Sequence, residues 1–335
     1  MPDWFSDKNI HIISRPFKLA MNIHFPADKA DKIAEMFCFT DDEKQSFCKN
    51  ADGILLAHNN EDPHKIITAV CEYAELIANS KGAGYTPKID QQKIGDVLLT
   101  SIEPPCGSNT YILETKEGFL VIDSGFPCYA EDLKQTILSL YPDFGKQKAE
   151  HIITHIDMDH MGAMDMFDCV YLNAACLENF TREKAGVANY RVKNPSRAPF
   201  YDMVVMLTGY KTPSLENVTL IGNITPDPTL PLSYIGDLKT AGLTFSVYES
   251  FGGHVEGSML FLENEIGLIF TGDILINPDG FTPEQLKVIR YPAILAGGSV
   301  NEDSKKAAAE RFAVYDMMQG RRWMICPGHG NVFQL

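Results

Sequence analysis

The chain of 335 residues lacks several things, and each absence narrows what it does. It has no uninterrupted apolar run of roughly 18 residues, the length a membrane-spanning helix needs, so no membrane partner is expected. Its first residues, MPDWFSDKNIHIISRPFKL, show no basic stretch followed by an apolar run and a small-residue cleavage site. A secretory signal is therefore not expected, and the expected compartment is the cytoplasm. Positive charge is scarce: 29 Lys and Arg stand against 44 Asp and Glu, a formal net charge of −15. Phosphate backbones repel such a surface, which argues against nucleic acid as a partner. The basic pairs Lys305-Lys306 and Arg321-Arg322 read as solvated helix faces. No two of the 8 cysteines form a C-x-x-C pair, and a chain this long needs no disulfide framework, so reduced thiols are expected. There is no internal repeat and no low-complexity tract.

What remains is an ordinary globular composition with a polarised layout. Residues 28 to 80 read as helical: Ile33, Met36, Phe37 and Phe39 recur at helical spacing, Asp41-Asp42-Glu43 suits the start of a short second helix, and Ile66, Val70, Tyr73 and Ile77 share one face. Lys81 to Pro87 reads as a linker. Residues 1–90 are thus expected to form a small helical N-terminal extension, serving as a homodimer interface, a cover over an active-site edge, or packing on the main body. From about residue 91, DVLLTSIE, NTYILET and GFLVIDSG read as strands, then DLKQTILSLYP as a helix and HIIT as a buried strand. Gly162 to Phe167 is expected to be helical. Residues 185–240, with Pro195, Pro199, Pro213, Pro226, Pro228 and Pro231, read as irregular and are expected to form a substrate lid. Strands LTFSVYES, MLFLEN and GLIFTGD follow, then a helix near Asp303 to Met318 and the strand RWMICPGHG. This alternation predicts an α/β fold over 91–335.

The densest chemistry lies in THIDMDHMGAM, where His155, Asp157, Asp159 and His160 occupy six consecutive positions. On an extended loop alternate side chains share a face, so His155 and Asp157 can serve one ion and Asp159 and His160 another. Imidazole with carboxylate suits zinc, iron or manganese. Three further polar residues sit beside glycines at strand ends: His254 in FGGHVEGS, Asp273 in IFTGD and His329 in CPGHG. Strand ends supply the rigid positions that a metal site requires.

As an ordered set these motifs resemble the metallo-β-lactamase superfamily, whose loop usually runs H-x-H-x-D-H, followed by G-H-x-x-G-S, T-G-D and a C-terminal histidine. Here they stand at His155–His160, Gly253–Ser258, Thr271–Asp273 and Gly328–Gly330, with Asn109-Thr110-Tyr111 and Val121–Gly125 resembling the upstream motif. The resemblance spans about residues 92–335. It implies a four-layer αβ/βα sandwich with two metal ions per chain at one edge. One ion would take His155, Asp157 and His254, the other Asp159, His160 and His329, with Asp273 bridging and Asp123 supporting the loop. The leading expectation is a metallohydrolase in which a metal-bound hydroxide attacks a small-molecule substrate, Asp159 orients the nucleophile, and a lid tyrosine (Tyr190, Tyr201 or Tyr210) polarises the substrate or protonates the leaving group.

Asp157 departs from the usual histidine. Flavodiiron proteins, a branch of the same superfamily, are similar in placing a carboxylate there, although theirs is a glutamate. The three aspartates with a bridging hydroxide balance the charge of two divalent ions, whereas a histidine at 157 would leave the set positive. The extra carboxylate weakens the ions as Lewis acids and favours iron or manganese against zinc. A diiron oxidoreductase handling O2 or NO is therefore the alternative function, and a non-enzymatic metal-dependent sensor a third.

Overall fold

The computed structural model describes residues 23–58, 61–187 and 190–335. Its first 22 residues, with the absent secretory signal and the start of the helical extension expected there, lie outside the described residues. The chain divides into two compact units.

The first unit is helical. It holds residues 23–79 of the described chain together with 191–207 and 287–300. Ala27–Phe37 (α1) ends at Cys38, whose φ of 55° closes the helix in the left-handed region. Asp41–Ala57 (α2) starts with a capping box: Thr40 Oγ1 accepts from the Glu43 amide at 3.3 Å while the Thr40 amide donates to Glu43 Oε2 at 2.8 Å. At 17 residues it is longer than the short helix its cap suggested. Pro63–Asn79 (α3) buries Ile66, Val70, Tyr73 and Ile77, the face its periodicity predicts. The Tyr73 ring lies 6.4 Å from that of Phe200 and 6.2 Å from that of Tyr291, so the two later segments supply part of this unit's core. They do so because Ala198–Thr208 is strongly apolar, burying Phe200, Met203, Val204 and Leu207.

The second unit carries two sheets. The first has seven strands in chain order: Lys88–Ile94 (β1), Val97–Glu103 (β2), Thr110–Thr115 (β3), Gly118–Ile122 (β4), Ala149–Ile152 (β5), Val170–Leu172 (β6) and Val218–Leu220 (β7). β1 to β4 run antiparallel, and β4 to β7 are parallel neighbours. The second sheet has the order β13-β12-β11-β10-β9-β8, from Leu232–Thr240 (β8), Leu243–Ser250 (β9), Met259–Glu263 (β10), Leu268–Asn277 (β11), Met324–Gly330 (β12) and Phe333–Gln334 (β13). Only β11 and β12 pair in parallel there. β4 and β10 are buried at every position, as strands covered on both faces must be. The sheets meet through side chains and backbone: the rings of Tyr111 and Phe270 are 5.4 Å apart, and the Tyr111 hydroxyl donates to the Pro327 carbonyl at 2.7 Å. Ala130–Leu140 (α4) buries Leu133 and Ile137, and Ala174–Lys184 (α5) follows β6. Ser304–Met317 (α6) brings Val314 against Leu260, Ile269 and Ile325 of the second sheet. The architecture is mixed α/β with two multi-stranded sheets and helices.

Two expectations need correction. Gly162 to Phe167 forms no helix beyond the three-residue turn Met164–Met166. The backbone there bonds elsewhere: the Gly162 amide donates to the Gly125 carbonyl at 2.8 Å and the Ala163 amide to Ser124 Oγ at 3.0 Å. Those groups are not left for a helical ladder. Residues 185–240 are also more regular than their prolines suggested, holding Ala198–Thr208, β7 and β8. Pro199 sits in the first turn of its helix, where its missing N–H costs nothing, and Pro213, Pro226, Pro228 and Pro231 fall between elements. Among the described residues no helix is long and apolar enough to cross a membrane.

His151 on β5 is fully buried, stacked on Phe167 at 4.4 Å, and neither ring nitrogen has a hydrogen-bond partner. Burial lowers its pKa from 6.5 to about 4. Between those values the unfolded chain binds a proton that the folded chain refuses, so stability is full at neutral pH and falls as pH drops through this window. Urea unfolding at pH 7 and pH 5 is expected to show a loss of about 2 kcal/mol in the wild type that His151→Leu does not share. Equal losses in the two proteins would refute a neutral buried His151.

Candidate metal centre

Segments in or just after five strands converge at one edge of the two-sheet unit. Asp123 follows β4, the 155–160 loop follows β5, His254 follows β9, Asp273 lies in β11 and His329 in β12. β11 carries register shifts against β12 on both sides of Gly272, and such irregularities re-aim side chains. Glycine is required beside Asp273: a Cβ on Gly328 would stand 2.0 Å from Asp273 Oδ1, and one on Gly272, at φ 47°, would stand 2.6 Å from Thr154 Oγ1.

The structure brings all seven side chains singled out in the sequence to this edge. Asp157 Oδ2 lies 3.1 Å from His254 Nε2 and 3.6 Å from His155 Nε2. Asp273 faces both ways, with Oδ2 3.6 Å from His254 Nε2 and Oδ1 3.2 Å from His160 Nε2 and 3.3 Å from His329 Nε2. Asp159 Oδ2 is 3.5 Å from His329 Nε2, and its Oδ1 is 4.0 Å from His160 Nε2. Two sets of candidate ligand atoms, from His155, His254 and Asp273 and from Asp159, His160 and His329, each fall within 4.8 Å of one another. Bonds of about 2.0–2.2 Å to one ion put neighbouring ligand atoms roughly 3.0–3.5 Å apart, so most of these separations fit a caged cation. His155 Nε2, His160 Nε2 and Asp273 Oδ1 are buried with no hydrogen-bond partner. Buried polar atoms without partners are costly, and cations held in the two clusters would satisfy all three.

Each imidazole is tied from behind through Nδ1. The partners are Thr154 Oγ1 for His155 (3.0 Å), Asp123 Oδ2 for His160 (2.8 Å), Asn301 Oδ1 for His254 (2.9 Å) and the Gly107 carbonyl for His329 (3.0 Å). With Nδ1–H donating outward, Nε2 turns its lone pair inward, the arrangement typical of metal-ligating histidine. Asp123 accepts from the Thr154 amide and hydroxyl at 2.8 and 2.7 Å, so one carboxylate steadies His160 directly and His155 through Thr154. Behind His254, the buried Glu310 accepts from the Gly253 amide at 2.6 Å, and the Glu302 amide donates to the His254 carbonyl at 2.9 Å. Asn109 ties β3 to the His329 strand, donating to the Pro327 and Gly330 carbonyls.

Charge shapes the site. Burial disfavours charge on His160, but the carboxylates of Asp273, Asp123 and Asp159 outweigh it and hold its pKa well above the usual range. His254 follows the same logic, pushed up to about 9 against burial by Asp157 and Asp273. His155 goes down, through burial and the neighbouring His160 charge. Asp157 and Asp273 would rise by burial alone; their histidine partners hold both well below the carboxylate range. A cation entering this cage would therefore compete with protons. Side-chain exposure is 12–19% at Asp157, Asp159, Asp273 and His329 against 2% or less at His155, His160 and His254, so the first four border the open face.

Asn301, Glu310 and the Gly107 carbonyl carried no sequence signal, because their roles arise only from tertiary placement. Thr154, immediately before His155, was within reach. Of the tyrosines expected near substrate, Tyr210 donates to Glu183 Oε2 at 2.8 Å, Tyr201 is buried in the helical unit, and Tyr190 faces Asp157 Oδ1.

No family model and no curated protein matches the chain. Solved structures similar to it include a metallo-beta-lactamase from Pontibacter korlensis, at 16% identity and a TM-score of 0.45, covering 73% of this chain and 93% of that one. A metallo-beta-lactamase from Hirschia baltica is similar at 17% identity and a TM-score of 0.41, covering 73% and 91%. A variant of the flavo di-iron protein from Thermotoga maritima is similar at 14% and 0.43; the match covers 74% of this chain and 58% of that longer one. At these scores the metal-centre reading rests on the side chains above.

Proposed function

We propose that this chain is a metal-dependent hydrolase of the metallo-β-lactamase type, acting on a small-molecule substrate at a two-cation centre. The observation that carries this reading is the convergence of seven ligand-bearing side chains, each imidazole anchored from outside. His155, Asp157 and His254 would hold one ion, Asp159, His160 and His329 the other, and Asp273 both. Divalent ions supply such a site with Lewis acidity toward a substrate oxygen and with water made acidic enough to react near neutral pH. The protein's own part is to fix the cage, to keep its inner wall dry at His155, His160 and His254, and to leave one face open. Asp159, the most exposed of the three carboxylates at 19%, would orient a nucleophile there and take its proton. The net charge of −15 disfavours polyanionic substrates.

A second reading is favoured by Asp157: its carboxylate sits against His155 and His254, giving three aspartates to four histidines, a harder ligand set that suits iron. Purified protein is tested for metal content and for ester, lactone and phosphoester hydrolysis, beside O2 and NO consumption. Two zinc or manganese ions with hydrolysis support the leading reading. Two irons with redox-dependent absorbance and gas consumption, and no hydrolysis, overturn it in favour of the oxidoreductase.

A further inference from the structure

Asp157 is the ligand that breaks the usual pattern, and its carboxylate is divided as the histidines are. Oδ2 faces inward, 3.1 and 3.6 Å from the Nε2 atoms of His254 and His155. Oδ1 faces outward and accepts from the Tyr190 hydroxyl, which also lies 3.2 Å from the Ile156 carbonyl. Tyr190 is buried, at 5% exposure, and comes from a segment 33 residues downstream. A carboxylate with an unengaged second oxygen can swing to solvent or clasp an ion through both oxygens. A phenol on Oδ1 blocks both, because a hydrogen bond to an ionised acceptor is strong and directional. Asp273 has the opposite arrangement, with both oxygens turned to histidine Nε2 atoms.

We propose that Tyr190 is a positioning residue for Asp157: its phenol holds Oδ1 and leaves Oδ2 alone to the cation shared with His155 and His254. Asp157 and Tyr190 then act as one unit, doing what an outward-anchored histidine does at the other positions. The aspartate is on this account a built ligand and not a decayed histidine. The effect of Tyr190 is then felt in the half of the centre that Asp157 serves, through the contact to Oδ1. This inference rests on the two-cation reading.

The test titrates stripped full-length protein with Co2+ and Zn2+. Tyr190→Phe keeps the buried ring and removes only the hydroxyl. One of two equivalents is expected to bind about 10–100-fold more weakly, with an altered visible cobalt spectrum, while the other is unchanged. In an Asp157→Asn background, Tyr190→Phe is expected to add little, because the group it positions is gone. Should Tyr190→Phe lose its fold by circular dichroism, the infrared difference between zinc-loaded wild type and Asp157→Asn decides instead: a widely split carboxylate pair marks one-oxygen binding and supports the proposal, a narrow splitting overturns it. Two equivalents bound at wild-type affinity by Tyr190→Phe overturn this inference alone. So does an equal loss in the Asp157→Asn background. Wild type that takes up neither ion overturns the two-cation reading and this inference with it.

Discussion

Asp273→Ala is expected to empty both halves of the centre at once. Among the described residues Asp273 is the side chain whose two oxygens reach both groups of histidines, at 3.6 Å on one side and 3.2 and 3.3 Å on the other. On the two-cation reading, removing it would take a ligand from each ion and the negative charge between them. Metal content should fall from about two ions per chain to fewer than one, and turnover by roughly a thousandfold or more, since several kcal/mol of charge stabilisation are lost. The exposed Glu265 provides the control, and Glu265→Ala should retain both ions. Metal analysis after dialysis, with rates measured on the same samples, checks this. Retention of two ions by Asp273→Ala would exclude a bridging role.

Asp123→Ala is the second large effect, and it acts without touching a cation. The Asp123 carboxylate accepts from the Thr154 amide, the Thr154 hydroxyl and His160 Nδ1, all within 2.8 Å and all buried. Its backbone also holds φ at 55°, a region that Asp and Asn tolerate better than Ala. Breaking a buried ionic hydrogen-bond cluster from one side costs on the order of 3–5 kcal/mol. Loss of an outer partner should weaken metal binding about 10–100-fold. Asp123→Asn keeps the backbone preference, so it should recover part of the stability and little of the metal affinity. Urea unfolding and zinc titration of the two variants separate these contributions. Equal stability in Asp123→Ala and wild type would contradict this account.

Legibility in the sequence followed how local each cause is. β2, β3, β4, β9, β10 and β11 stood out because their β-branched and aromatic runs are buried and bounded by turns. β1, KIDQQKI, did not: it is polar, mostly exposed, and is a strand only because β2 pairs with it along its whole length. β8 was hidden among prolines and by Gly236, where its register against β9 shifts. The missed turn after His160 shows the same limit, since Ser124 and Gly125 take its backbone bonds from 37 to 39 residues away. The metal-type residues were legible because four of them crowd one loop and the other three, His254, Asp273 and His329, each stand beside a glycine next to a strand-like run. Their outer partners were not. Nothing in the sequence ties Asn301 to His254 or Tyr190 to Asp157 until the chain folds.

The most direct test of the central claim is elemental analysis of wild-type protein, purified without added metal and then equilibrated with zinc, iron(II) and manganese(II) in turn. The account predicts about two ions per chain for at least one of these metals, held through dialysis at pH 7.5 and released on acidification as the histidines take up protons. Folded protein that retains no ion under any of these conditions would contradict it.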